Sequence, residues 1–331
     1  MKRTIYVLGL LVCIMFISIS CGKYKSSELD SIKVAYLADF AGTSAAAIAQ
    51  EKGFFKEENL EVELAKFLNG PAEVAAMLSG DIQFAYIGHG AHSLAIQGKV
   101  NILFPNGLSK SEQIIAGKWA KINKISDLRG KTVGTQLGTS GDIVLDIALR
   151  REGLRKNNVN VVNMDVSGIV SSMIGKKVDA VSVWAPYTFE IIKQLNDEVQ
   201  IITSITNYLD EAVFPSSWIA TPDYIKNNPD IVNRFSRAIL KAMDYRDANM
   251  DEAVEIVAKL NGTPADSVSA EKETAIWFTS NDIKKAYSDG SAERWYEAQQ
   301  KIFINSEVIK EPVNVSDYVR FDLIDSLFNI N

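Results

Sequence analysis

The chain has 331 residues, of which 47% are hydrophobic and 23% are charged, and this composition predicts about two packed domains and excludes wholesale disorder. The formal net charge of −6 argues against a nucleic-acid partner, because phosphate binding needs a basic face. Only two histidines and two cysteines are present, so we expect no metal site, no His-based catalysis and no cofactor.

The N-terminus has the pattern of a secretory signal. A short basic start precedes an apolar run over residues 5–17, and small residues flank Cys21 as in a bacterial lipoprotein signal. We expect residues 1–20 to be the signal peptide, Cys21 to carry a lipid, and residues 21–30 to form a polar tether. An uncleaved membrane helix is the alternative, although the apolar run is short for a membrane span.

Strands and helices alternate in the first block of the chain. Hydrophobic periodicity predicts strands over 31–37, 60–67, 82–87 and 100–104. Between them, helices are predicted over 43–52, from about 71 to 79 and from about 90 to 98, each followed by a glycine or ended near one. Strands that alternate with helices predict a parallel sheet.

The same rhythm returns in a second block and then gives way to helices. Strands are predicted over 131–135, 159–163, 178–184 and 199–203, with helices over 138–152, 166–174 and 185–195. The remaining apolar spacing predicts helices over 228–249, 251–260, 265–278, 291–305 and 316–327. Two open α/β lobes bind ligands where the carboxyl ends of their strands meet.

Four stretches resemble the family of ABC-transporter substrate-binding proteins for nitrate, sulfonates, taurine and thiamine precursors. They are AQEKGFFKEENLEV at 49–62, NGPA at 69–72 with AMLSGDIQFAY at 76–86, LRGKTVG at 128–134 with GTS at 138–140, and VDAVSVWAPY at 178–187. Each motif is short, and the resemblance lies in their joint order over nearly the whole mature chain.

The resemblance implies an α/β, two-lobed periplasmic-binding-protein type II fold with a helical C-terminal region. Residues 31–116 and 217–331 would form lobe 1 and residues 117–216 lobe 2. Two crossings near Gly117 and Ser217 would form the hinge.

The resemblance also implies a function without chemistry. The protein would be exported, anchored by lipid on Cys21 to a bacterial membrane, and monomeric. It would pass a sulfonate, taurine, nitrate or an aminopyrimidine thiamine precursor to an ABC permease and its ATPase. Two alternatives stay open: an enzyme of the thiamine-pyrimidine synthase type, and a surface sensor or adhesin on the same fold.

The candidate ligand-binding residues lie in turns that follow predicted strands. Three turns lead into helix N-termini, where unpaired N–H groups favour an anionic head. Aromatic side chains at strand ends can wall a crevice and stack on a ligand. Asp142 would attract an amine if it faces the crevice, and is otherwise a carboxylate at a helix start. The candidates are Asp39, Phe40, Asn69, Gly70, His89, Gly90, Thr139, Ser140, Asp142, Trp184, Tyr187 and Ser217.

Overall fold

The computed structural model describes residues 29–329, which form two lobes, each built on one β-sheet. The predicted signal peptide and Cys21 lie outside the described residues. Within residues 29–329, no helix has both the length and the apolar character needed to cross a membrane.

The first lobe contains a six-stranded sheet in the order β11-β4-β10-β3-β1-β2. β1 pairs in parallel with β2 and β3, whereas β10 and β11 are antiparallel to their neighbours. All four residues of β3 are buried, as expected for a strand covered on both faces. The strands are β1 (Asp30–Leu37), β2 (Leu60–Phe67), β3 (Phe84–Ile87), β4 (Asn101–Ser109), β10 (Pro215–Ala220) and β11 (Ala275–Trp277).

Helices connect the strands of this first half, and their ends follow local chemistry. The Asp39 side chain accepts a hydrogen bond from the Gly42 amide and so caps the first helix. Gly53, with a φ of 77°, lets the chain leave that helix just beyond its C-terminus. The helices are α1 (Phe40–Glu51), α2 (Phe54–Glu57), α3 (Gly70–Leu78) and α4 (His92–Ile96).

The second lobe contains a five-stranded sheet in the order β7-β6-β8-β5-β9. β6 pairs in parallel with β7 and β8, and β5 is antiparallel to both β8 and β9. Its strands are β5 (Gln113–Gly117), β6 (Thr132–Thr135), β7 (Asn160–Asn163), β8 (Ala180–Val183) and β9 (Val199–Ser204). Its helices are α5 (Ser140–Arg151), α6 (Val166–Ile174) and α7 (Tyr187–Leu195).

Two connections join the sheets, as the fold prediction required. The first runs over residues 110–112, between β4 and β5, and the second over residues 205–214, between β9 and β10. Both connections come earlier in the sequence than the crossings predicted near Gly117 and Ser217. The reason is that β5 pairs with β9 in the second sheet and β10 pairs with β4 in the first. β5 and β10 are the first strands after each crossing, and both run antiparallel to their neighbours, in sheets predicted to be parallel; β11 is an antiparallel edge strand that the C-terminal region adds to β4.

The C-terminal region is mainly helical, and its longest helix, α9, packs on the first lobe. Phe235 of α9 stacks on Phe84 of β3, with 3.8 Å between ring centroids. The helices are α8 (Pro222–Asn227), α9 (Pro229–Ala248), α10 (Met250–Asn261), α11 (Ala265–Ser269), α12 (Ser280–Ser288), α13 (Ser291–Asn305) and α14 (Phe321–Phe328).

The predicted helix over 265–278 is wrong in its second half. α11 ends at Ser269, and Ala275–Trp277 form β11 instead. This segment is extended because it pairs with the edge of β4. Ile276 pairs with Leu108, and the Lys110 amide donates to the Thr274 carbonyl at 2.7 Å. These long-range backbone hydrogen bonds outweigh the local helical spacing.

Candidate functional site

The two lobes enclose a crevice into which the turns after their strands project. Its free space is about 670 Å³, including the part open to solvent. The lobes touch across it, because the Gly90 backbone in the first lobe lies directly against the Thr139 backbone in the second. Residues far apart in sequence therefore face the same crevice between the lobes. A concave site of this kind suits a small ligand.

Eight of the twelve predicted ligand-binding residues line this crevice. They come from the turns after β1, β2, β3, β6 and β8, as the rule for open α/β lobes predicts. They are Asp39, Asn69, Gly70, His89, Gly90, Thr139, Ser140 and Trp184.

Three of the other predicted residues pack behind the lining. Phe40 is fully buried, and its ring meets that of Trp277 edge-on at 5.2 Å. The Ser217 hydroxyl, also buried, lies 3.0 Å from the Tyr296 hydroxyl. Tyr187 meets Trp184 edge-on at 5.7 Å. These side chains therefore support the walls from outside the lined space.

Asp142 does not line the crevice either. Its carboxylate accepts from the Gly138 amide at 3.2 Å and forms a salt bridge with Lys156. It therefore has the geometry of a helix-start carboxylate, because the amides and the dipole of the first turn favour a negative charge there. The hypothesis that Asp142 faces a ligand amine is wrong, since a lysine of the same lobe already holds it.

The crevice also contains residues that the sequence did not single out, and two of them are carboxylates. Glu112 lies in the first connection between the lobes, and Glu271 follows α11. Tyr86 and Trp277 add aromatic surface to the lining. Glu112 lies outside every predicted strand and helix, so no local pattern pointed to it, whereas Glu271 and Trp277 lie within the helix predicted over 265–278.

Each lining carboxylate accepts hydrogen bonds from nearby groups. Asp39 Oδ1 accepts from the Gly42 amide at 2.7 Å, and Glu271 Oε2 accepts from the Phe40 amide at 2.7 Å. Both carboxylates therefore lie at the N-terminus of α1. Glu112 accepts from the Ser109 hydroxyl, at 3.0 Å to Oε1 and 2.9 Å to Oε2.

Burial makes these acids weak. It raises the pKa of Asp39 to about 6, although hydrogen bonds from Gly42 and Trp184 lower it. Burial and the charge of Asp39 raise the pKa of Glu271 to about 8. Burial also raises the pKa of Glu112, against hydrogen bonds from Ser109 and Ser140. Acids whose pKa is raised in this way are common at functional sites.

The predicted anion-binding turns already have internal partners. Asn69 Oδ1 accepts from the Ala72 amide at 2.9 Å and caps α3. The Thr139 hydroxyl donates to the Gln136 carbonyl at 2.6 Å, and the Gly138 amide donates to Asp142. Part of the donor capacity expected for an anionic head is therefore used within the protein.

His89 contributes aromatic surface rather than charge. Its ring stacks on Phe214 with 3.7 Å between centroids, and its Nδ1 lies 2.8 Å from Nε2 of Gln299. Burial and the neighbouring His92 lower the pKa of His89 well below its usual value, so the imidazole is neutral. Within residues 29–329, no group of three or more His, Cys, Asp and Glu side chains is arranged to hold a metal ion.

Comparison with solved structures gives the fold. The periplasmic nitrate-binding protein of Synechocystis PCC 6803 superposes with a TM-score of 0.73 at 13% identity, over 92% of this chain and 90% of that chain. The periplasmic aliphatic sulphonate-binding protein of Escherichia coli gives a TM-score of 0.65 at 17% identity, over 87% and 91% of the two chains. The chain therefore has the fold of a periplasmic binding protein.

Sequence relatives include binding proteins and one synthase. The taurine-binding periplasmic protein of Escherichia coli (strain K12) is 28% identical over 236 residues, 67% of this chain and 71% of that protein. The 4-amino-5-hydroxymethyl-2-methylpyrimidine phosphate synthase of Aspergillus parasiticus is 26% identical over 279 residues, 78% of this chain and 79% of that protein.

Two further similarities, to a binding protein and to a family model, identify the family. A binding protein of Brucella abortus (strain 2308) is 33% identical over 291 residues, 88% of this chain and 90% of that protein. The family model for NMT1/THI5-like proteins matches residues 42–253, which include the whole second sheet and four of the six strands of the first, β2, β3, β4 and β10. The chain therefore belongs to the NMT1/THI5-like family.

Proposed function

We propose that this protein is the receptor of an ABC importer, capturing a small solute between its two lobes and handing it to the permease. The observation that carries the proposal is the crevice itself, which lies between two lobes and is closed where Gly90 meets Thr139. Two lobes joined by two connections can open and close about them, which is the hinge class of motion. The binding proteins among the relatives support the same reading.

The proposal places the receptor at a membrane surface. A lipid on Cys21 would hold it there, through the polar tether predicted over residues 21–30. A short tether would keep the lobes near the permease and its ATPase, with the protein acting as a monomer. Export across a bacterial membrane would follow from the apolar N-terminal run.

We assign binding rather than catalysis to the crevice. The synthase from Aspergillus parasiticus is a relative, so the enzyme alternative has a specific observation behind it. Against it, the sequence holds only Cys13 and Cys21, both in the N-terminal segment, whereas the thiamine-pyrimidine synthase group, which shares this fold, resembles a suicide synthase with a cysteine-rich motif. A receptor function needs no nucleophile in the crevice.

Small-angle X-ray scattering and an uptake assay test the proposal. A solute that raises the unfolding midpoint of the full-length protein should also reduce its radius of gyration, because closure brings the lobes together. Deletion of the gene should abolish uptake of that solute by the source bacterium. Bound solute with an unchanged radius, together with undiminished uptake in the deletion strain, would contradict the receptor function.

A further inference from the structure

In the described part of the chain, the charged side chains that line the crevice are all acidic. Asp39, Glu112 and Glu271 line it, and in residues 29–329 no lysine or arginine belongs to the lining. All three carboxylates are nearly inaccessible, with 3–7% of their surface exposed. The only imidazole in the lining, His89, is neutral.

None of these carboxylates is neutralised by a basic side chain in the described structure. The salt bridges of residues 29–329 all involve other acids. The partners of the three carboxylates are amides, hydroxyls and an indole. A buried carboxylate without a cation is costly, so the arrangement favours a ligand that supplies the missing positive charge.

The groups behind the lining do not reverse this balance. Glu73 of α3 is fully buried near Asp39, and neither of its carboxylate oxygens has a hydrogen-bond partner. Tyr187, behind the lining, and Tyr86, within it, lie near the same acids, and burial raises the pKa of both hydroxyls, so they stay neutral. Arg246 lies behind Trp277, outside the lining, and donates to Ser44, to Asn106 and to the Phe278 carbonyl.

Two indoles complete the recognition surface. Trp184 reaches the crevice from the second lobe, and Trp277 reaches it from β11 of the first. The face of an indole is the most favourable aromatic surface for a cation, and a planar group can stack on it. Aromatic faces and carboxylates together match a ligand that is both positively charged and partly apolar.

We propose that the solute is a small organic cation whose N–H groups donate to Asp39, Glu112 and Glu271 and whose apolar part contacts Trp184 and Trp277. This inference rests on the proposed receptor function and specifies its substrate class. It separates this protein from the nitrate- and sulphonate-binding proteins whose fold it shares, because a negatively charged ligand would be repelled by the ionised acids of the lining and would find no basic side chain there within residues 29–329.

Cation binding should release protons. With a pKa of about 8, Glu271 is mostly protonated at neutral pH in the empty crevice. A bound cation stabilises the ionised carboxylate and expels that proton, so affinity should rise with pH until the pKa is passed. A neutral ligand that accepts a hydrogen bond from the protonated acid would show the opposite dependence.

A charge-matched thermal-shift panel on the full-length protein tests the substrate class. Benzamidine, benzamide and benzoate share one planar frame and carry positive, zero and negative charge. Agmatine and 4-aminopyridine extend the cations that carry N–H groups, nitrate and ethanesulfonate extend the anions, and taurine is a zwitterion. We expect only cations to raise the unfolding midpoint. Stabilisation by an anion or a neutral compound alone would overturn the inference and leave the receptor function standing. No stabilisation by any compound would count against both.

A pair of variants then connects the binding to the crevice. Glu271→Gln should weaken the best cation about tenfold to a hundredfold, because a charge-assisted hydrogen bond becomes a neutral one. The glutamine oxygen can still accept from the Phe40 amide, which preserves the start of α1. Glu273→Gln is the matched control, since Glu273 is exposed and outside the lining. Equal affinities for both variants would refute the inference.

Calorimetry in two buffers of different ionisation enthalpy gives a second readout. The parent protein should release protons on binding the cation near neutral pH, and Glu271→Gln should release fewer. Proton uptake by the parent would overturn the inference, even if the cation binds.

Discussion

Gly90 of the first lobe lies directly against the Thr139 backbone of the second, and its replacement by alanine should prevent closure. A Cβ atom at this position would lie 2.3 Å from the Thr139 carbonyl carbon, 2.5 Å from its Cα and 2.6 Å from its oxygen. Ordinary contacts of a Cβ begin near 3.4 Å, so the two backbones would have to separate by about 1 Å. The obstacle is backbone on both sides, and no side chain can rotate away.

The penalty should fall on the closed form alone. Overpacking of this kind costs about 1–3 kcal/mol, which corresponds to a solute affinity about fivefold to a hundredfold weaker. Gly90 is not among the glycines with positive φ, so alanine fits its backbone and the open form should keep its stability. Titration calorimetry measures the affinity, and X-ray scattering with saturating solute measures the loss of compaction.

Gly88→Ala is the control for this experiment. It lies in the same turn, but a Cβ there would meet no atom within 4 Å, so its effect should be much smaller. If Gly90→Ala binds as tightly as the parent and compacts to the same radius, the contact with Thr139 does not limit closure and the reasoning is refuted.

Three further predictions concern the anchor, the buried acids and the core. Cys21→Ala should lose labelling by a lipid precursor and retention on membranes; unchanged labelling would exclude this anchor. Unfolding midpoints should fall as the pH rises from about 6.5 to about 8, because native Glu271 keeps a proton that the unfolded chain has released, and Glu271→Gln should flatten this slope. Arg246→Met should lower the free energy of unfolding by about 3 kcal/mol in urea titrations, since it leaves buried acceptors of Asn106 and Phe278 unpaired; a loss below about 1 kcal/mol would contradict their importance.

Much of the fold was predictable from local patterns. The alternating apolar residues of 31–37 and 60–67 became β1 and β2, and the glycine that follows the predicted helix over 43–52 lies just beyond the observed end of α1. Turns after such strands must lie at one edge of a sheet, and the strand pattern therefore made Asn69 and Gly90 candidates for the crevice, whereas Ser140 became one through the family resemblance.

The side chains that decide the character of the crevice could not be assigned in this way. Phe40 and Ser217 belong to the right turn and strand, but their orientation follows from packing against Trp277 and Tyr296 on distant elements. Asp142 is ambiguous in the sequence for the same reason, because its partner, Lys156, lies beyond the end of the helix that Asp142 begins.

Local patterns predict the order of strands and helices and the turns that carry small polar residues, because hydrophobic period and capping chemistry act over a few neighbouring residues. The acidic character of the crevice depends instead on contacts between distant parts of the chain. Glu271 and Trp277 reach the crevice because the segment after α11 pairs with β4 instead of continuing as a helix. Glu112 reaches the crevice because the chain passes from one lobe to the other there. Strand pairing and lobe crossing join residues more than a hundred positions apart, and no local pattern records such partners.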